Sequence, residues 1–158
     1  MQLSSAVSTR LHYQHKVLME IIDGLSDDQI RRQLYAGKWS IFETIVHLQT
    51  FQHKFNNRVK QILENNNPVF EKYTAEADPF FQDNCHKSTR EVMQDLIGVR
   101  KEMAAKILSL PEKEFDKTGT HTKYGKMSLH QWLNFFLLHE GHHLFTIFKM
   151  AAELKNNP

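Results

Sequence analysis

The stretch MSLHQWLNFFLLHEGHHLFTI, Met127 to Ile147, decides how the chain is read. It has no Pro and no internal turn signal except Gly141, and its apolar residues recur at helical spacing, so it predicts one long helix. Within it, His139 and His143 are four residues apart and lie on one face, one turn apart. Trp132, Phe135 and Phe136 precede them on that face, and Thr146 and Met150 follow. The two imidazoles therefore point where the core residues point. Two such groups can share a metal ion, but a stable site needs a third ligand.

Composition narrows the options. A chain of 158 residues fits a single domain, 1–158, with room for a sizeable core. The formal charge of +2 comes with no concentrated block of Lys and Arg, which argues against a dedicated nucleic-acid binder. The lone Cys85 cannot form an intramolecular disulfide and suits a reducing, cytoplasmic setting. No apolar run reaches the length a bilayer needs, and the N-terminus lacks the apolar core of a signal peptide. Ten histidines are the compositional anomaly to be explained.

Working outward, the sequence predicts an all-α four-helix bundle. A first helix from about Leu3 to Asp23 carries Val7, Leu11, Leu18 and Ile21 on one stripe and ends at Gly24. Ser26 caps a short turn with Asp27 and Asp28. The second helix starts at a capping box, Ser40 with Glu43, and runs to about Glu64 with His47 at the flank of its apolar stripe. Trp39 packs back on its start as a staple. Asn65 to Pro68 stops it. The next twenty or so residues, to about Lys87, have no clear period, and a link this long fits a crossover between parallel helices two and three. Its Phe70, Phe80 and Phe81 are expected to cover the core. The third helix starts at Ser88 or Thr89, carries Val92, Leu96, Val99, Met103 and Ile107, and ends before Pro111. Pro111 to Tyr124 reads as irregular, with turn signals at Gly119 and Gly125 and no convincing strand. A second capping box, Ser128 with Gln131, opens the fourth helix.

That fourth helix is apolar beyond one face. Leu137, Leu144 and Phe148 lie roughly opposite His139 at about 100° per residue. Either the crossover covers them or a second subunit does, and a homodimer is the preferred expectation.

The letters H-E-x-x-H match a zinc-protease motif in which the glutamate is a general base. The extended form would need Gly at 146 and His at 149, where this chain has Thr146 and Lys149. Few residues follow His143 to supply another ligand. Glu140, about 100° round from His139, is read as solvated. The third ligand is therefore sought upstream, and His47 is the candidate, since bundle cores build metal sites from facing helices. Three imidazoles would leave coordination positions open, as in catalytic sites. The plainer alternatives are core histidines bonded to Thr or backbone at 139 and 143, and an edge histidine at 47. His142 reads as a solvated or interface residue, or a partner to the ligands. His12, His15, His53, His86, His121 and His130 read as surface, with His15 able to face the metal. Tyr13, Tyr35 and Tyr124 offer phenols that nothing in the spacing selects.

GKWSIFETIVHLQ, with Trp39, Ser40, Glu43 and His47, followed some ninety residues later by MSLHQWLNFFLLHEGHHLFTI, resembles the DinB-like family of four-helix bundles. The Leu25-Ser26-Asp27 turn, the long crossover and the Gly125-x-x-Ser128 opening extend the resemblance over nearly the whole chain. It implies an up-down-down-up topology, frequent dimers, and a divalent metal, commonly zinc or nickel, held by His47, His139 and His143. It also implies thiol chemistry: S-transfer or isomerisation using bacillithiol, mycothiol or glutathione as co-substrate. The functional expectation is thus a metal-dependent thiol S-transferase acting on a small electrophile. The alternatives are a metal-dependent hydrolase that activates water, and a non-catalytic module whose metal ties two helices together. Nucleic acid and membrane are not expected partners.

Overall fold

In the computed structural model, which describes residues 3–156, the apolar stripe of the first segment is carried by two pieces rather than one helix. Helix α1 (Ser5–Tyr13) and helix α2 (Val17–Ile22) are separated by a 3-10 turn at Gln14–Lys16. That tighter turn sends Gln14 and His15 to the bundle interior, where both meet polar groups of other helices. Ser26 caps the short helix α3 (Asp27–Arg31) through a capping box with Gln29.

Helix α4 (Ile41–Glu64) starts at the Ser40–Glu43 capping box and ends at Asn65. The link that follows is not bare loop. It holds strand β1 (Val69–Phe70), a 3-10 turn at Ala75–Ala77 and helix α5 (Pro79–Asn84) before helix α6 (Thr89–Leu108). Phe70 and Phe81 are buried as expected, whereas Phe80 is exposed. Cross-contacts set the relative direction of the helices. Gln49 bonds Asp95, and three residues later Gln52 bonds the carbonyl of Leu96 and the side chain of Arg100, so α4 and α6 run the same way.

Strands were not anticipated, yet β2 (Thr118–His121) and β3 (Gly125–Ser128) form a hairpin, and β1 pairs parallel with β2. Pieces of two to four residues are too short to display a period of two, and the β1–β2 pairing spans some fifty residues. Gly119 is less a turn residue than a point of close approach. A Cβ there would meet Phe70 at 2.8 Å and Ile62 at 3.0 Å, and the Gly119 carbonyl accepts from Trp132 Nε1 at 3.1 Å.

Helix α7 (Leu129–Asn156) packs against α4, α2 and α1. Its first half packs with Val7, Leu11, Phe55, Ile62 and Ile107, its second half with Leu18, Ile41, Ile45 and Val92. It therefore runs opposite to α4 and α6 and alongside α1, giving up-down-down-up. Leu137 and Leu144 are covered within the bundle, which corrects the expectation that they form an outer face. The exposed apolar side chains of α7 are Leu138, Phe145 and Phe148. No helix among the described residues is long and apolar enough to cross a membrane.

Candidate metal centre

His47 sits on the second turn of α4, positioned by the capping box at Ser40. His139 and His143 lie one turn apart on α7, which packs against α4 in the opposite sense. The three ring nitrogens that meet are Nε2 atoms. His139 Nε2 is 3.2 Å from His47 Nε2 and 3.2 Å from His143 Nε2. One ligand atom from each histidine fits within 4.8 Å of the others. Two nitrogens bound tetrahedrally at 2.0–2.1 Å to one zinc ion would be about 3.3 Å apart. The spacing fits a shared ion.

A hydrogen-bonded cluster of neutral imidazoles is the alternative, and it leaves one contact unmade, because the single N–H or lone pair of His139 Nε2 serves only one of its two neighbours. Nδ1 of His47 and Nδ1 of His139 are both buried with no protein partner. A metal-bound imidazole is usually oriented by a carbonyl or carboxylate at its other nitrogen. Here aromatic rings do that work. Trp39 lies 4.9 Å from His47 and 6.4 Å from His143, Tyr73 stacks on His47 at 5.8 Å, and Phe51 lies 4.0 Å from His139.

The same packing sets protonation. Burial, and then the neighbouring His143, push His47 down to about 3. Burial, then His143 and His47, do the same to His139, also to about 3. His143 is lowered to about 4 by burial and by His142. All three are neutral near pH 7, with lone pairs free for a cation.

Glu140 is not solvated and does not approach this cluster. It is buried on the other side of α7, where it makes an ion pair with the Arg100 guanidinium through Nη2. Gln14 Nε2 donates to Glu140 Oε2 at 2.8 Å, Arg100 Nε donates to Gln52 Oε1 at 2.7 Å, and His15 Nδ1 lies 3.3 Å from Arg100 Nη1. The one-residue step from His139 to Glu140 rotates the side chain by about 100°, enough to send it to another interface. The protease-like motif is therefore a coincidence of letters. Its glutamate is locked in a core network, unavailable as a base. His15 belongs to that network and not to the histidine cluster.

Other expected surface histidines also found partners. His121 is buried in β2, its Nδ1 accepting from the Lys123 amide at 3.0 Å, and His53 pairs with Asp95 at 2.6 Å. Tyr73 is the site residue that sequence reasoning missed. It lies in the aperiodic crossover, where only the fold brings it over His47, and its hydroxyl bonds Thr50 Oγ1 at 3.1 Å. Burial raises its pKa to about 12, so it stays protonated. Tyr35 lines a cavity beside His143 but is tied to Glu153, and Tyr13 is exposed. Cys85 is half-buried with its thiol pKa raised by burial, which makes it inert.

One cavity borders the cluster and another lies beyond Tyr73. One, of about 500 Å³, is lined by His143, Trp39, Thr44 and Thr146 with Lys38 and Lys149 at its rim. The other, of about 550 Å³, is lined by Tyr73 and Arg58. The crossover lies between them, contributing Glu76 to the first and Ala77 and Asp78 to the second.

Residues 10–147 match the model of the DinB superfamily. The chain belongs to the DinB superfamily. Among its DinB relatives, YuaE of Bacillus subtilis is 29% identical over 146 residues, covering 85% of this chain and 90% of YuaE. A protein of Oceanobacillus iheyensis, provisionally named a metal-dependent hydrolase, is 24% identical over 140 residues, covering 89% of this chain and 79% of that one. The solved structure of YfiT from Bacillus subtilis, described as having an unusual four-helix bundle topology, superposes with a TM-score of 0.84. It is 17% identical and covers 98% of this chain and 91% of that one. At that identity the likeness concerns the fold.

Proposed function

We propose that this DinB protein is a metal-dependent enzyme, with a divalent ion on His47, His139 and His143 that activates water for hydrolysis of a small substrate. One observation carries the reading: three neutral imidazoles, from two facing helices, converge through Nε2 beside a cavity. The provisional names of YfiT and of the Oceanobacillus iheyensis relative, both metal-dependent hydrolases, support it. When bound, the ion supplies Lewis acidity that lowers the pKa of a coordinated water or thiol. The chain does the rest. Three uncharged ligands leave the site net positive, which favours an anionic nucleophile, and Trp39, Phe51 and Tyr73 exclude bulk water from the ligand side.

Thiol transfer is the second reading, favoured by what surrounds the cluster. No carboxylate joins the three histidines among the described residues, and Glu140 is locked elsewhere. A thiolate needs no base once formed, so a co-substrate such as bacillithiol or glutathione suits this site. Zinc and nickel both accept imidazole ligands.

Elemental analysis of untagged protein should find close to one ion per chain, lost in His47→Ala, His139→Ala and His143→Ala alike. Retention of full metal by the His47 variant would remove α4 from the site. With cobalt substituted, a sulfur-to-metal charge-transfer band on adding a thiol favours transfer. Turnover of ester or amide substrates with no such band favours hydrolysis.

A homodimer completes the reading. Leu138, Phe145 and Phe148 stand exposed along α7, and burying such side chains stabilises by about 1.5–3 kcal/mol each. Light scattering of wild type against Phe145→Glu tests it, and a monomeric wild type ends it.

A further inference from the structure

Arg58 is buried to 5% exposure, yet no carboxylate neutralises it among the described residues. Its guanidinium has five N–H donors. The one hydrogen bond it makes among the described residues runs from Nη2 to the Glu71 carbonyl at 2.7 Å. Its position is fixed by two rings, Phe70 at 5.4 Å and Trp132 at 5.6 Å from the guanidinium carbon. The other buried arginine shows what satisfaction looks like. Arg100 has Glu140, Gln52 and the Leu11 carbonyl around it.

A clamp on β1 would account for one donor of Arg58 and would leave the others without a protein partner among the described residues. The unused donors border the cavity of about 550 Å³, which Lys54 and Lys72 also line. Glu71 and Asp78 line it too, but neither forms an ion pair with the guanidinium. A guanidinium held in place by two rings, with unused donors at a cavity, suits a planar or tetrahedral oxyanion.

The cavity lies on the far side of Tyr73 from the metal centre. Tyr73 lines it and stacks on His47 from the other side. Arg58 lies eleven residues after His47 on α4, within about 20° of the same face and roughly 16 Å further along the axis. A molecule reaching from Arg58 to the ion would have to pass Tyr73, which separates the two.

We propose that this cavity binds a small organic oxyanion, a carboxylate or a phosphate, on Arg58, and that this anion is the non-reacting end of the substrate. The oxyanion site stands on Arg58 and the cavity alone. Its assignment to the substrate rests on the enzymatic reading of the histidine cluster.

The test uses the full chain, metal-free and metal-loaded, titrated with phenyl phosphate and separately with benzoate. Calorimetry measures affinity, and the emission of Trp132, beside the guanidinium, reports location; Trp39→Phe removes the only other indole. At least one probe should bind saturably at one per chain, with or without metal, and the stronger one identifies the oxyanion. Arg58→Gln should weaken it about tenfold or more. Arg58→Lys keeps the charge and stem, so it guards against a folding defect in the glutamine variant, and it should weaken binding several-fold through loss of the forked geometry. Lys54→Gln, at an exposed position, should weaken it a few-fold. Saturable binding by neither probe, or wild-type affinity in both Arg58→Lys and Lys54→Gln, overturns the proposal. If the protein takes up no metal and shows no turnover, probe binding leaves the oxyanion site standing and removes only its link to the metal centre.

Discussion

His139 and Glu140 are neighbours on α7 and lead into two buried polar clusters of opposite character. On the Glu140 side, Arg100, Gln14, Gln52 and His15 supply opposite charge and hydrogen bonds. On the His139 side, three like imidazoles face one another, and two buried Nδ1 atoms have no protein partner. A core polar network that satisfies itself specifies packing. A cluster that does not is a candidate for a functional site. The difference separates a structural network from a candidate site within a single turn.

Breaking the satisfied network should give the largest effect. Glu140→Ala leaves Arg100 buried with its charge uncompensated, so denaturant unfolding should show a loss of about 3–5 kcal/mol. Metal content of the folded fraction should be unchanged. A loss of metal with little loss of stability would reverse the roles of the two sides.

The network also carries a pH signature. Burial first, and then the Arg100 charge, hold His15 down to about 4. Its unfolded value is about 6.5, so the unfolded chain takes up the proton first on acidification. The His15 contribution is complete above pH 6.5 and fades as pH falls from 6.5 towards 4, by on the order of 3 kcal/mol. Stability measured across that window should fall less steeply in His15→Gln than in wild type. Parallel profiles would show that His15 is not held neutral.

The histidine side should respond differently to substitution. In metal-free protein, His143→Ala should shift stability by less than about 1 kcal/mol, since no strong partner is lost. Adding metal at a hundred times its Kd should raise wild-type stability by about 2.7 kcal/mol and leave the variant unmoved. An equal response in both would sink the shared site.

Tyr73→Phe sharpens the comparison at its smallest scale. It keeps the ring over His47 and removes the hydroxyl bond to Thr50, a loss of about 0.5–1.5 kcal/mol. Metal affinity should not change. A large drop in affinity would make the hydroxyl part of the centre.

Much of this was legible in the residues. Ser40–Glu43 and Ser128–Gln131 mark two helix starts because capping is a local exchange of hydrogen bonds three residues apart. The His139–His143 spacing was legible for the same reason, as helical periodicity is a property of one segment. His47 was reachable from its place on a regular helix together with the family resemblance. What stayed hidden was non-local. Glu140 looked solvated because its partner Arg100 is forty positions away and reads as an ordinary surface cation. Tyr73 and Arg58 acquire their roles from the crossover and from β1, which have no period of their own. Leu137 and Leu144 were misplaced because the packing of α1 and α2 against α7 cannot be read from α7.

By itself, then, the sequence determined the helices, their caps, the four-helix class and the pair of histidines on one face. Each depends on interactions within a few residues. Only the tertiary structure decided which buried polar groups find partners. Partnership joins side chains tens of residues apart, and a rotation of one helical position selects which interface a residue meets.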